Sequence, residues 1–184
     1  MFYTMTIAGL ERRLPMFPVN EQIQIAALNM FGDVELTEAC ARDLLRQAPE
    51  FDCIFTAEAK SIPLAYAMAR QSGKTYFIAR KRLKVYMKDA IEIKVVSITT
   101  KGEQMLYVDG ADANAMKGLR VLVVDDVIST GQTLKALAGF VDQVGATPVA
   151  QMAVLAEGEA AKRTDIITLG PLPLFDAQGN ALPY

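Results

Sequence analysis

The residues of this chain best suited to chemistry are two adjacent carboxylates, Asp125 and Asp126, with Ser129, Thr130, Gly131, Gln132 and Thr133 just beyond them. Small hydroxyl residues and a glycine leave backbone N–H groups free, and at a helix N-terminus those amides and the helix dipole favour an anion such as phosphate. The elements that must hold these groups are legible on either side. Val121, Leu122, Val123 and Val124 form an unbroken aliphatic run, as expected of a central parallel strand covered on both faces. That strand, Leu119–Val124, is predicted to end at the acidic pair. Leu134, Leu137, Ala138, Val141 and Val144 then recur at helical spacing within Gln132–Val144. A plainer account is a strand-end acidic pair before an ordinary capped helix. It leaves unexplained why strand, acids, turn and helix fall in the order that a ligand at the carboxyl edge of an α/β sheet requires. A Walker phosphate loop is excluded, because its glycine spacing and its Lys before the hydroxyl residue are missing.

The stretch VLVVDDVISTGQT closely resembles the phosphoribosyl pyrophosphate (PRPP) signature of the type I phosphoribosyltransferases. The resemblance implies that Asp125 and Asp126 hold the ribose hydroxyls and do the catalytic positioning. It also implies that Ser129, Thr130, Gly131, Gln132 and Thr133 cradle the 5′-phosphate. Further segments carry it on. The loop Thr56-Ala57-Glu58-Ala59-Lys60-Ser61 stands where purine members of the family grip pyrophosphate, which puts Ala59, Lys60 and Ser61 against that group. Lys60 in place of Arg loses a bidentate fork and keeps the charge. The cationic run Arg80-Lys81-Arg82-Leu83-Lys84 opens where adenine-type members carry an Arg-Lys pair on a mobile loop, so Arg80, Lys81 and Lys84 are expected to neutralise pyrophosphate. By itself such a run is an ordinary solvated face.

For the base, the resemblance offers Phe17, Ile128 and Glu157, with Phe31 as a second aromatic; an aromatic beside an apolar helix is more often core. Ser97, Ile98, Thr99 and Thr100 are closer to xanthine-type members than to the Glu-Tyr-Gly of adenine-type loops, and Glu103 is a weak substitute for a catalytic glutamate. Gly158, where xanthine-type enzymes place a Lys, argues against xanthine. The closing LGPLPLF is similar to adenine-type sequences and is expected to pack. Adenine is the favoured base, with hypoxanthine, guanine and xanthine behind it. Magnesium is expected to arrive bound to PRPP, with no direct protein ligands. A homodimer follows by analogy only. A PRPP-sensing regulator of the same fold stays open as an alternative, although residues 1–33 offer no room for a winged helix.

Composition sets outer limits. The 184 residues suit one α/β domain, 1–184, with residues 1–33 matching the family's variable hood. About half the chain is apolar and the net charge is −2, giving no general attraction to nucleic acid. No leader pattern or membrane-length apolar run is seen, so a cytoplasmic location is expected. With no histidine, acid–base work falls to carboxylates, lysine, tyrosine, backbone or substrate. Cys40 and Cys53 lack metal-ligand spacing and read as packed core thiols.

The remaining pattern alternates helix and strand. A helix over Leu36–Ala48 stops near Pro49, and a strand over Asp52–Thr56 follows. A second helix has Pro63 in its first turn and Gly73 past its end, and leads to a strand at Thr75–Ala79. Runs at Glu92–Thr99 and Gln104–Val108 read as a hairpin. Strands over Thr147–Leu155 and Asp165–Leu169 complete a mainly parallel α/β sheet. Residues 1–33 resolve into no single clean element.

Overall fold

Residue parity along the central strands organises the molecule. The computed structural model describes residues 1–96 and 103–184. Its main sheet contains β4 (Cys53–Ala57), β5 (Thr75–Ala79), β8 (Arg120–Ile128), β9 (Thr147–Glu157) and β10 (Ile167–Leu172), all parallel, in the order β10-β9-β8-β4-β5. Successive side chains of a strand point to opposite faces. Ile54, Leu122, Val124, Met152 and Val154 therefore pack on one side, with α1 (Val34–Leu45) and α2 (Ile62–Ser72). Cys53, Phe55, Val121, Val123 and Ala153 pack on the other, with α3 (Gly110–Met116) and α4 (Gln132–Gln143). Both faces are covered, which is why β4 and the first part of β8 are apolar without alternation. Each fully buried large side chain, such as Phe55 or Leu122, stabilises the fold by roughly 1.5–3 kcal/mol. Both cysteines are wholly buried, as expected, and burial pushes the Cys40 and Cys53 thiols up to about 12 and about 11.

The N-terminal residues, which showed no clean pattern in sequence, form a three-stranded antiparallel sheet of β1 (Phe2–Ile7), β2 (Leu10–Pro18) and β3 (Gln24–Ala26). Ala8 and Gly9, both at positive φ, make the tight turn between β1 and β2. Arg12 ties this hood to α1: its guanidinium holds Asp33, which also accepts the Leu36 N–H as the helix cap. That arginine, with the cap bond, keeps the Asp33 carboxyl below the usual carboxylate range. On the far side, residues 172–182 strap the hood down. Gln24 and Phe175 exchange backbone hydrogen bonds of 2.8 and 3.0 Å, and the buried Phe175 ring sits 4.9 Å from that of Tyr3.

The helix with Pro63 inside its start and Gly73 at its C-cap is α2, with Gly73 at φ 69°. The hairpin is β6 (Ile91–Val96) paired antiparallel with β7 (Glu103–Val108); Ser97 to Gly102 lie outside the described residues. The side chain of Glu103, the weak catalytic substitute, is likewise outside the description. One element was not foreseen and one expectation needs correction. Helix α3 had no sequence counterpart, because it is only seven residues of mostly small side chains. The acidic pair does not sit at a strand end: β8 runs on to Ile128, because the long strand β9 keeps pairing beyond it, Asp125 with Ala153 and Val127 with Leu155.

Candidate active site

The carboxyl ends of β4 and β8 converge on one cavity of about 160 Å³ lined by Glu58, Ala59, Lys60, Ser61, Lys81, Asp125, Asp126 and Thr133, among others. A smaller cleft of about 50 Å³, lined by Asp125, Ile128 and residues 129–133, adjoins it through Asp125 and Thr133. Parallel pairing causes this convergence. Cys53 to Thr56 lie beside Val121 to Val124, so the chain leaves both strands at the same edge.

Asp125 and Asp126 share parity with Val123 and Val124, and so address opposite faces of the sheet edge. Asp126 is buried and forms a 2.7 Å ion pair with Lys60 Nζ, which also reaches the Leu28 carbonyl of the hood at 3.4 Å. The Asp125 carboxylate accepts the Asp126 N–H at 2.9 Å. Burial, and then the neighbouring Asp126 carboxylate, push the Asp125 pKa up to about 8 against the opposing pull of Lys60.

In the turn, Ser129 and Thr130 are exposed, while Gly131 is buried at φ 73° and caps α4. Gln132 and Thr133 open the helix, so the N-terminus of α4 lies at the cleft. Ile128, offered for the base, is buried beneath this turn and lines the phosphate-sized cleft.

The peptide bond between Glu58 and Ala59 is cis. Ser61 is buried; its hydroxyl lies 2.7 Å from Thr56 Oγ1 and 2.9 Å from the Ala57 carbonyl. Ala59, Lys60 and Ser61 all line the cavity, and the Ser61 hydroxyl is bonded inside the fold.

Of the cationic run, Lys81 alone lines the cavity. Arg80 is turned aside: its Nε lies 3.4 Å from Glu58 Oε1, and its backbone bridges to Tyr107. Lys84 is outside the lining, although its charge helps hold the Glu58 carboxyl low. Glu58 was not anticipated as an organiser. Its carboxylate accepts the Lys81 N–H at 2.8 Å, and that bond is the main cause of its lowered pKa. The reason is register: Ala57 pairs with Ala79, which sets Glu58 beside Arg80. Gln104 and Leu106 of β7 complete the wall, also unanticipated.

Phe17 and Phe31 are each about half exposed (52%) on the hood, outside the cavity lining and not in the core. Glu157 ends β9, partly buried. Burial raises its pKa, while Lys60 pulls it down, and it lines neither cavity. Among the described residues no cluster of three or more acidic or cysteine side chains is arranged to hold a metal. No helix there is long and apolar enough to cross a membrane.

The profile of the phosphoribosyl transferase domain matches residues 34–169. The hypoxanthine/guanine phosphoribosyltransferase of Methanococcus voltae is 33% identical over 139 residues, which are 76% of this chain and 71% of that protein. Its namesake from Methanosarcina acetivorans is 35% identical over 127 residues, 68% of this chain and 64% of that protein, so the match leaves over a third of that relative uncovered. In overall shape the chain is similar to the adenine phosphoribosyltransferase of Thermoanaerobacter pseudethanolicus, with a TM-score of 0.71, 20% identity, and coverage of 86% of this chain and 95% of the other.

Proposed function

The chain belongs to the phosphoribosyltransferase family, with the type I fold, and from that premise we propose that it joins a purine base to C1′ of PRPP in a salvage reaction. One observation carries the reading: a single cavity gathers Lys60, Lys81, Asp125, Asp126 and Thr133, and opens onto a helix-capping turn of phosphate size. In the reaction the bond from C1′ to the diphosphate oxygen breaks and one from the purine N9 to C1′ forms; the N9 proton leaves to solvent or to the departing diphosphate. Asp125 and Asp126 hold the ribose hydroxyls and so aim C1′ at the base. Residues 129–133 anchor the 5′-phosphate with neutral donors. Lys60 and Lys81, with the Ala59 and Ser61 backbone, receive the growing charge on diphosphate. Magnesium, when it arrives bound to PRPP, would supply further charge neutralisation through the substrate's own oxygens, with no direct protein ligand. Glu157, at the end of β9, faces the base.

Among purines, relatives at 33–35% identity named for hypoxanthine and guanine favour a 6-oxopurine. Adenine, expected from the LGPLPLF segment, is the second reading. The enzyme is taken to work in the cytoplasm as a homodimer. Incubation with PRPP, Mg²⁺ and each of adenine, hypoxanthine, guanine and xanthine, followed by mass spectrometry, tests the proposal. A nucleoside monophosphate from hypoxanthine or guanine is expected. Tight PRPP binding with no nucleotide from any base would instead establish a sensor.

A further inference from the structure

We propose that Arg163 is a positioning residue for the phosphate turn: gripped by Asp165, its guanidinium braces Gly131 from outside and sets a fixed positive charge beside the anion the turn receives. The inference rests on reading residues 129–133 as the 5′-phosphate cradle.

Arg163 follows a short 3₁₀ helix, Gly158–Lys162, that leaves the end of β9, and its N–H closes that turn on the Ala160 carbonyl. Its guanidinium donates from Nε to Asp165 Oδ1 at 2.9 Å and from Nη2 to Oδ2 at 2.7 Å. A two-point fork of this kind fixes the plane of the group as well as its place. The remaining nitrogen, Nη1, is directed at the turn. A Cβ built on Gly131 would collide with Arg163 Nη1 and lie 3.2 Å from Cζ, so the guanidinium fills the space that the missing side chain opens. Glycine is favoured at 131 by φ 73°, and a side chain there would have to displace the guanidinium.

The charge argument points the same way. Ser129, Thr130, Gly131, Gln132 and Thr133 are all uncharged, so the turn offers an incoming phosphate dianion only amides, hydroxyls and the dipole of α4. The Arg163 side chain is 29% exposed, which shelters its field from solvent, while Asp165, its partner, is 64% exposed and well screened. A positive balance is left at the helix N-terminus, where an anion binds. Were the pair an ordinary surface ion pair, it would contribute little and its loss would not reach the ligand.

Steady-state kinetics with PRPP varied at saturating base, together with calorimetric titration of ribose 5-phosphate and of pyrophosphate, test this. Arg163→Ala should raise the KM for PRPP and the Kd for ribose 5-phosphate about tenfold, the size of a partly sheltered charge at a helix end. The kcat, the KM for the base and the pyrophosphate Kd should stay near wild type. Arg163→Lys should recover part of the loss, keeping charge without the fork, and Asp165→Asn should lose about threefold through the freed arginine. If wild-type protein binds ribose 5-phosphate and both Arg163 variants bind it equally well, the brace is wrong and the cradle stands. If wild-type protein does not bind it, the cradle reading falls and the brace with it.

Discussion

In the loop between β4 and α2 the polar side chains already have partners, whereas in the turn between β8 and α4 they face outward. Lys60 is paired with Asp126, Ser61 with Thr56 and the Ala57 carbonyl, and Glu58 with Lys81 and Arg80. Across the cavity, Ser129 and Thr130 are exposed, and the turn's internal side-chain bond is a long one, Gln132 N to Thr130 Oγ1 at 3.5 Å. The contrast shows two routes to phosphate binding. The turn is preorganised, and a ligand finds its donors without first breaking bonds. The loop must exchange protein bonds for ligand bonds, above all the Lys60 contact with Asp126.

The largest test of that contrast removes the carboxylate that Lys60 of the loop holds. Asp126→Asn should reduce turnover at saturating PRPP by about a hundredfold or more, since misplacing C1′ forfeits orientation, while thermal melting moves far less. Retention of wild-type turnover would dissolve the assigned role. Next, Gly131→Ala strikes the open turn alone. Forcing an L side chain to φ 73° and against Arg163 should cost about 1–2 kcal/mol of stability. In kinetics it should raise the PRPP KM while leaving pyrophosphate binding intact.

A pH series sharpens the comparison further. Unfolded, Asp125 releases its proton near 3.8; folded, it keeps the proton up to about 8. The folded state therefore binds more protons in that window. Its contribution to stability is fully present below the lower value and is lost as pH rises through the upper one. Ribose hydroxyls donate best to the ionised pair, so PRPP affinity should move the opposite way and improve towards about pH 8. Melting curves and PRPP KM across this range should show opposed slopes, and Asp125→Asn should flatten the stability slope. The smallest effect belongs to Ser61→Ala. Losing an internal hydroxyl should cost about 1 kcal/mol of stability, with PRPP KM changed less than about twofold. A KM rise without destabilisation would mean that the hydroxyl serves the ligand after all.

What could be read in advance follows from where each signal resides. The β8 strand, the acids, the turn and α4 are contiguous, and each carries a local signature: an aliphatic run, paired carboxylates, a helix-opening glycine. Pro63 and Gly73 bracketed α2 for the same reason. The hood was obscured because Pro15 and Pro18 fall within β2 and its exposed positions include Phe2, Phe17 and Val19, so the apolar pattern does not separate inside from outside. Alternating burial along β1 and the Ala8–Gly9 turn were the available clue. Side-chain fates set by neighbouring strands were out of reach. That Arg80 turns to Glu58 depends on the register of β4 against β5, and that Ser61 points inward depends on a threonine in the adjoining strand. The extension of β8 past the acids depends on the length of β9.

The strap between Gln24 and Phe175 has a consequence for how the protein is made. Residues 1–26 leave the ribosome early, but the hydrogen bonds and ring contact that seat them come from residues beyond 172. Until those emerge, the hood's sheet lacks its strap, although Arg12 already ties it to Asp33 and its apolar side shares a core with α1 and α2. A nascent chain halted before residue 172 should therefore carry a more protease-sensitive hood, residues 1–26, on an otherwise protected sheet, and substitutions at Phe175 should reduce cellular yield more than the activity of each molecule that matures.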